Sequence, residues 1–174
     1  MQDGPFENFP LRMVVPTFLV QLAVYGLGGF IILRFGLAFL GIYIACILGL
    51  EFRVLRNSCV DCFYHGRTCC FGRGRLCALV LGKGDPKRFS ERKIGWAHIL
   101  PDFLISIIPL LAGIILLVLR FDILLFVVVV ALTILAFPVT GFIRGAWACR
   151  YCRQREAGCP AERLFGRRGT GEER

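Results

Sequence analysis

Four long apolar runs, separated by short polar breaks or by a long basic segment, dominate the hydropathy pattern of the chain. They cover Met13–Leu33, Phe35–Leu50, Ile99–Leu119 and Ile123–Ile143. A helix rises ~1.5 Å per residue, so ~20 residues cross ~30 Å of hydrocarbon. Three runs meet that length, and the second is extended because Glu51 and Arg53 can reach the interface with long side chains. The pattern predicts four transmembrane helices.

The breaks inside each pair of runs are very short. Arg34 alone separates the first two runs, and Arg120, Phe121 and Asp122 separate the last two. Each pair is therefore predicted to form a tight antiparallel hairpin. The predicted fold is all-α and integral to the membrane, with two tandem hairpins in a 2+2 pseudo-repeat and a small cytoplasmic, cysteine-rich, metal-binding cap. Its segments are the N-terminus 1–12, hairpin 1 at 13–50, a basic loop 51–98, hairpin 2 at 99–143 and a tail 144–174.

Composition and charge give this fold an orientation. The chain has 174 residues, 56% of them hydrophobic, yet its formal net charge is +9. Such apolar content excludes a disordered chain, and apolar runs of span length exclude a small secreted disulfide scaffold. Segment 51–98 holds ten Lys and Arg and segment 144–174 holds eight, whereas each hairpin turn holds one. The positive-inside rule then predicts a multi-pass protein with both termini in the cytoplasm.

The basic segments suggest a lipid partner. Bases beside a membrane determine topology and attract anionic lipid headgroups. The sequence around Phe71-Gly-Arg-Gly-Arg75 contains neither a G-x-x-x-x-G-K-[ST] nor a G-x-G-x-x-G pattern, so no nucleotide motif is present. Nucleic acid is not expected as a partner. An unknown protein partner fits the same face.

The predicted spans offer little chemistry. No ionisable residue lies in mid-membrane, and Gln21, Ser106 and Thr133 look isolated. An intramembrane enzyme built on paired carboxylates or histidines is therefore not expected. Haem held between the spans is not expected either, because the two histidines, His65 and His98, lie in a loop and at a span edge.

Small residues on the second span suggest close helix packing. Gly41, Ala45 and Gly49 recur every four positions, a spacing that lets helices approach in lipid. We expect this stripe to face the first span, with a homodimer interface as the alternative. Cys46 beside the stripe is predicted to be a small apolar core residue.

The cysteines carry the main chemical signal. Eight of the nine lie in the two cytoplasmic segments, and six of them repeat one spacing directly after a hairpin. The first module is Cys59-x2-Cys62-x6-Cys69, and the second is Cys149-x2-Cys152-x6-Cys159. This indicates an internal duplication. A pseudo-two-fold axis along the membrane normal would bring the two modules together.

The repeated spacing predicts a metal site. C-x2-C lets two thiolates bind one ion from a tight turn, and pairs of such turns build structural zinc sites. Because the cytoplasm keeps thiols reduced, metal ligation is favoured over disulfides. One module lacks the four thiolates of a closed site, whereas two supply six. The predicted zinc ligands are Cys59, Cys62, Cys69, Cys149, Cys152 and Cys159.

Each module resembles one half of the domain in fungal binuclear zinc-cluster transcription factors, which contains two C-x2-C-x6-C halves. The resemblance is limited to the spacing within two blocks of eleven residues. It implies that the six cysteines share two metals through two bridging thiolates. Here 79 residues (70–148), including two spans, separate the halves, whereas the family uses a short loop. The resemblance implies nothing about DNA binding.

Other uses of the cysteines stay open. The four C-x2-C cysteines alone would complete one zinc site, leaving Cys69 and Cys159 as spares. An iron–sulfur cluster for membrane electron transfer also needs four thiolates, and Cys159-Pro160 is similar to the end of ferredoxin motifs. A thiol oxidoreductase facing the cytoplasm is a third hypothesis. Small quinone-linked disulfide enzymes are similar in span count, but their reactive cysteines face the oxidising side.

Three further residues are less clearly placed. Cys70 adjoins Cys69 too closely for both to bind one ion. Cys77 begins an apolar patch, Cys77–Leu81, that we expect on the membrane surface. His65 is either an exposed loop histidine, which we favour, or a replacement ligand. The leading hypothesis for the whole chain is a non-enzymatic membrane scaffold or partner platform with a metal-stapled cap.

Overall fold

The structure is a computed structural model that describes residues 4–85, 88–89, 96–156 and 159. For 96–102 and Ala146 it describes the backbone alone. The segments predicted at the extreme N-terminus (1–3) and through most of the tail lie outside the described residues. The side chain of His98 does as well.

Five helices organise the described chain: α1 Leu11–Leu33, α2 Leu37–Val54, α3 Arg73–Val80, α4 Trp96–Leu119 and α5 Ile123–Ile134. Two of them continue beyond a regular α-helix. α2 runs into a π-helical turn, Leu55–Cys59, and α5 continues through further turns, the last being Ile143–Cys149. Each helix with its continuation ends at the first cysteine of a module.

Three helices are long and apolar enough to cross a membrane, namely Leu11–Leu33, Leu37–Cys59 and Ile123–Cys149. In α4 the apolar stretch is shorter, Phe103–Leu119, and falls below that length. Three helices thus have the length and composition that membrane association requires. α2 extends well past Leu50, because Glu51 and Arg53 are accommodated in the helix.

The two predicted hairpin turns lie at the same end of the bundle. Gly36 joins α1 to α2 with φ 122°, a conformation that favours glycine. Asp122 caps α5 by accepting a hydrogen bond from the Leu124 amide at 2.9 Å. The Arg34 Nη2 atom lies 3.4 Å from the Asp122 Oδ2 atom, so an ion pair links the two turns.

α1 is the central helix of the bundle and packs against α2, α4 and α5. It comes close to its neighbours at Gly28, where a Cβ would lie 2.3 Å from the Tyr43 Oη atom and 3.2 Å from the Pro109 Cγ atom. Ile31 on α1 and Leu132 on α5 are fully buried in the same core cluster. Gly28 therefore permits close packing of α1 against α2 and α4.

The predicted packing of the small-residue stripe on α2 against α1 is wrong, while its alternative role as a homodimer interface stays a prediction. Gly41, Ala45 and Gly49 are exposed, and nothing lies within 4 Å of a Cβ built on either glycine. Cys46 is exposed as well, so it is not a core residue. The large side chain of Tyr43 faces α1 instead, because Gly28 leaves room for it.

The opposite end of the bundle gathers the cysteines, and we call it the cysteine-rich end. It comprises residues 4–10, 55–81 and 149–156, together with Cys159. An apolar cluster where it meets the helices contains Phe9, Val14, Tyr64, Cys70 and Ala148. The start of α1, the loop after α2 and the segment after α5 therefore share one buried cluster.

Candidate functional site

The two C-x2-C turns have the same backbone hydrogen bonds. In each, the amide of the second cysteine donates to the carbonyl of the first at 3.4 Å, from Cys62 to Cys59 and from Cys152 to Cys149. The carbonyl of the second cysteine then accepts from the residue three positions later, at 3.0 Å in the first module and 3.1 Å in the second. Equal spacing thus gives equal local structure, while common ancestry of the modules stays a prediction.

The second cysteine of each turn also accepts the same N–H···S bond. The Tyr64 amide donates to the Cys62 sulfur, and the Gln154 amide donates to the Cys152 sulfur. Cys69 accepts from the Gly74 amide at 3.3 Å. Hydrogen bonds to a sulfur favour its charged form. Cys62 and Cys152 thus lie where backbone amides would stabilise a thiolate.

A reciprocal pair of hydrogen bonds joins the two modules. The Phe63 amide donates to the Gln154 Oε1 atom at 2.6 Å, and the Arg153 amide donates to the Tyr64 Oη atom at 3.0 Å. In both cases the donor is the amide of the residue directly after the second cysteine. The acceptor is the side chain two positions after the second cysteine of the other module. Tyr64 and Gln154 are each 2% exposed, so these bonds are shielded from water. These bonds pair the two modules, while a two-fold axis that relates them stays a prediction.

The N-terminal segment strengthens this pairing. The Tyr64 hydroxyl, which accepts from Arg153, donates to the Phe6 carbonyl at 2.6 Å. The Phe6 amide donates to the Tyr151 carbonyl at 3.0 Å, and the Phe9 amide donates to the Thr68 carbonyl at 2.9 Å. The segment therefore contacts both modules. Sequence reasoning missed it, because neither charge nor spacing distinguishes these residues.

Burial disfavours the charged form of the second cysteine in each module. It raises the pKa of Cys62 to about 11 and the pKa of Cys152 to about 12. Charge on Cys69, Cys159 and Cys77 would raise the pKa of Cys62 further. Charge on Cys62 and Cys159 acts likewise on Cys152. Cys62 and Cys152 are therefore near enough to affect one another, and without a metal both are neutral thiols at pH 7.

The sulfurs do not yet converge on a single point. All nine cysteines are free. Across the described ranges, no group of three or more His, Cys, Asp or Glu side chains is arranged to hold a metal ion. Metal ligation would require the cysteine side chains to turn toward a common centre.

Known proteins offer no counterpart from which to transfer a role. No protein-family model, curated protein or solved structure matches the chain. A functional argument therefore depends on the residues and contacts themselves.

The three residues in or beside the first module that the sequence left less clearly placed all have structural partners. The Cys70 sulfur lies 3.7 Å from the Thr17 hydroxyl oxygen on α1. Cys77 is 0% exposed, so its predicted place in a membrane-surface patch is wrong, although Leu79 in that patch is 84% exposed. His65 is half-buried, and its Nε2 atom lies 3.1 Å from the Leu81 carbonyl oxygen. The favoured prediction of an exposed histidine is also wrong.

A small polar pocket lies beside the cysteine-rich end, between α1, α2 and α4. Gln21 and Ser106 line it together with Tyr25, Glu51 and Arg73. The Tyr25 hydroxyl donates to Glu51, and Arg73 forms an ion pair with the same carboxylate. The prediction that Gln21 and Ser106 are isolated is therefore wrong. These contacts of Glu51 attach α3 to α1 and α2.

Proposed function

We propose that this chain is a four-span membrane protein whose cysteine-rich end binds a metal in the cytoplasm, zinc by preference. It would act as a non-enzymatic scaffold or partner platform. The ligands would come from both modules: Cys59, Cys62, Cys69, Cys149, Cys152 and Cys159. The reciprocal bonds of Tyr64 and Gln154 carry the proposal, because they hold two C-x2-C turns face to face.

The proposed topology takes its support from the helices and the charges. α4 has 24 residues, enough for a fourth span beside the three long apolar helices. Both hairpin turns lie opposite the cysteine-rich end, and most Lys and Arg belong to the two segments on the cysteine side. The positive-inside rule then assigns that side to the cytoplasm, beside anionic lipid headgroups.

Zinc is preferred because of the local chemistry of the sulfurs. Paired C-x2-C turns are typical of structural zinc sites, and bound zinc replaces the thiol protons. Thiol–disulfide exchange needs a thiolate, whereas burial raises the pKa values of Cys62 and Cys152. No contact in the described chain favours an iron–sulfur cluster over zinc, so that cluster is an outcome of the test.

The test is to purify the protein anaerobically in detergent, then measure its metal content and visible absorption. We expect stoichiometric zinc in a colourless protein. Brown protein with iron and acid-labile sulfide would replace zinc by an iron–sulfur cluster. Metal-free protein with titratable thiols would overturn the metal proposal and support the oxidoreductase hypothesis.

Cys46 provides a matched control. It is an exposed cysteine on α2, outside the cysteine-rich end, so Cys46→Ser should leave the zinc content unchanged. Cys62→Ser should lower it strongly, because Cys62 lies beside the bonds that join the modules. Equal zinc in both variants would contradict the assignment of the ligands.

A further inference from the structure

We infer that Cys77 is a fourth ligand of the first module, so that Cys59, Cys62, Cys69 and Cys77 hold one ion without help from the second module. The inference builds on the proposed function, because it concerns how that site is completed. Sequence spacing does not indicate it: Cys77 stands outside the C-x2-C-x6-C repeat.

The first observation is where α3 places Cys77. Its side chain is 0% exposed, and its sulfur lies 3.7 Å from the Leu55 carbonyl oxygen. That carbonyl also accepts the Val60 amide at 3.1 Å. Cys77 therefore lies against the helical turn Leu55–Cys59, which ends at the first cysteine of the module.

The second observation concerns Cys69. Its sulfur accepts the Gly74 amide at the start of α3, and Gly74 and Cys77 are the buried residues of that helix. Residues three apart in a helix lie on the same face. The sulfurs of Cys69 and Cys77 are thus both associated with the inward face of α3.

The third observation is that this face touches the first module between Cys62 and Cys69. A Cβ on Gly74 would lie 2.2 Å from the Tyr64 carbonyl oxygen and 2.4 Å from the Arg67 carbonyl oxygen. The Gly66 amide donates to the Gly74 carbonyl at 3.0 Å. Only a glycine lets α3 approach so closely, and the approach packs the helix that carries Cys77 against the segment between these two cysteines.

The chemistry of the four side chains supports the same grouping. Several thiolates so near each other repel, and a divalent cation among them would remove that repulsion. Four thiolates form the closed ligand set of a structural zinc site.

The rival explanation is that Cys77 is a small apolar core residue. The two explanations differ in a variant that lacks the second module's thiols, Cys149→Ser/Cys152→Ser/Cys159→Ser. We expect this variant to retain one zinc per chain. Adding Cys77→Ala should remove that zinc, whereas Cys70→Ala should not, because Cys70 is an equally buried neighbour that contacts Thr17. Zinc retained at unchanged affinity after Cys77→Ala would overturn the inference.

A second measurement covers the case in which these multiple variants do not fold. In the otherwise intact chain, Co²⁺ replaces zinc, and the sulfur-to-cobalt charge-transfer band is compared between the wild type and Cys77→Ser. We expect a weaker and shifted band, and an unchanged band would contradict a ligand role. A wild type that binds no metal would overturn the proposed function. A wild type that binds metal while both Cys77 variants match it would overturn this inference alone.

Discussion

The two cysteine modules have the same spacing and the same turns, but different surroundings. In the first, α3 follows Cys69 and brings Cys77 back against the end of α2. In the second, a 3₁₀ turn, Arg153–Arg155, follows Cys152, and the third cysteine is Cys159. Local sequence thus determines the turn, whereas tertiary packing determines which further side chains surround it. We expect the first module to bind metal independently and the second to depend on the first.

The largest effect is expected when the two cysteines of one C-x2-C turn are removed at a time. Cys59→Ser/Cys62→Ser should abolish zinc binding, because it removes two ligands of the first module and the second module depends on the first. Cys149→Ser/Cys152→Ser should leave one ion. A closed structural zinc site has four ligands, so a site that loses two of its thiolates should lose its metal. Zinc per chain, measured by elemental analysis, decides the point, and equal losses from the two variants would refute the asymmetry.

The next test breaks the bonds that the modules share. Tyr64→Phe and Gln154→Ala should each destabilise the metal-free protein by about 1–3 kcal/mol, because each removes a buried side chain that accepts the hydrogen bond of an amide in the other module. Denaturant unfolding in detergent measures the loss. Tyr151→Phe is the matched control, since Tyr151 contributes its ring and its carbonyl to Phe6. Losses no larger than in this control would mean that the reciprocal bonds do not stabilise the pair.

A smaller effect should affect the first module alone. Glu51→Gln weakens the ion pair between Glu51 and Arg73, the first residue of α3. The Glu51 side chain is 26% exposed and that of Arg73 is 19% exposed. Partial exposure limits the loss to about 1 kcal/mol. Alkylation of Cys77 in the metal-free protein should become several-fold faster, while that of Cys152 stays constant. Asp122→Asn, at the other end of the bundle, is the control, and equal acceleration at both cysteines would contradict a local role for Glu51.

The smallest effect is expected at the ion pair between Glu7 and Arg153, whose side chains are 64% and 40% exposed. Exposed pairs contribute about 0–1 kcal/mol, so Glu7→Gln should change the free energy of unfolding by less than about 0.5 kcal/mol. A loss above about 1 kcal/mol would show that charge, rather than the buried hydrogen bonds, holds the N-terminal segment against the second module.

Apolar run lengths and polar breaks predicted α1, α2, α4, α5 and both hairpin turns, because those features depend on local sequence, whereas α3 was not predicted. The ends of the helices were less predictable. The helical chain of α2 continues to Cys59, because Glu51 accepts a hydrogen bond from Tyr25 and forms an ion pair with Arg73. The small-residue stripe on α2 did not predict how α1 and α2 pack, because the same spacing suits a surface that faces lipid or another helix. Gly28 on α1 provides the close packing of these two helices.

The spacing of the cysteines predicted the two turns but not what joins them. Tyr64 and Gln154 are common residue types in no special pattern, so only the tertiary structure reveals their exchange of hydrogen bonds. The place of Cys77 likewise depends on the direction of α3, which the spacing does not define.

X-ray absorption at the zinc edge of the anaerobically purified protein tests the central claim most directly. A metal held by the cysteine-rich end predicts a first coordination shell of four sulfurs at ~2.3 Å. A shell dominated by nitrogen or oxygen at ~2.0–2.1 Å would contradict the claim, as would protein that contains no zinc.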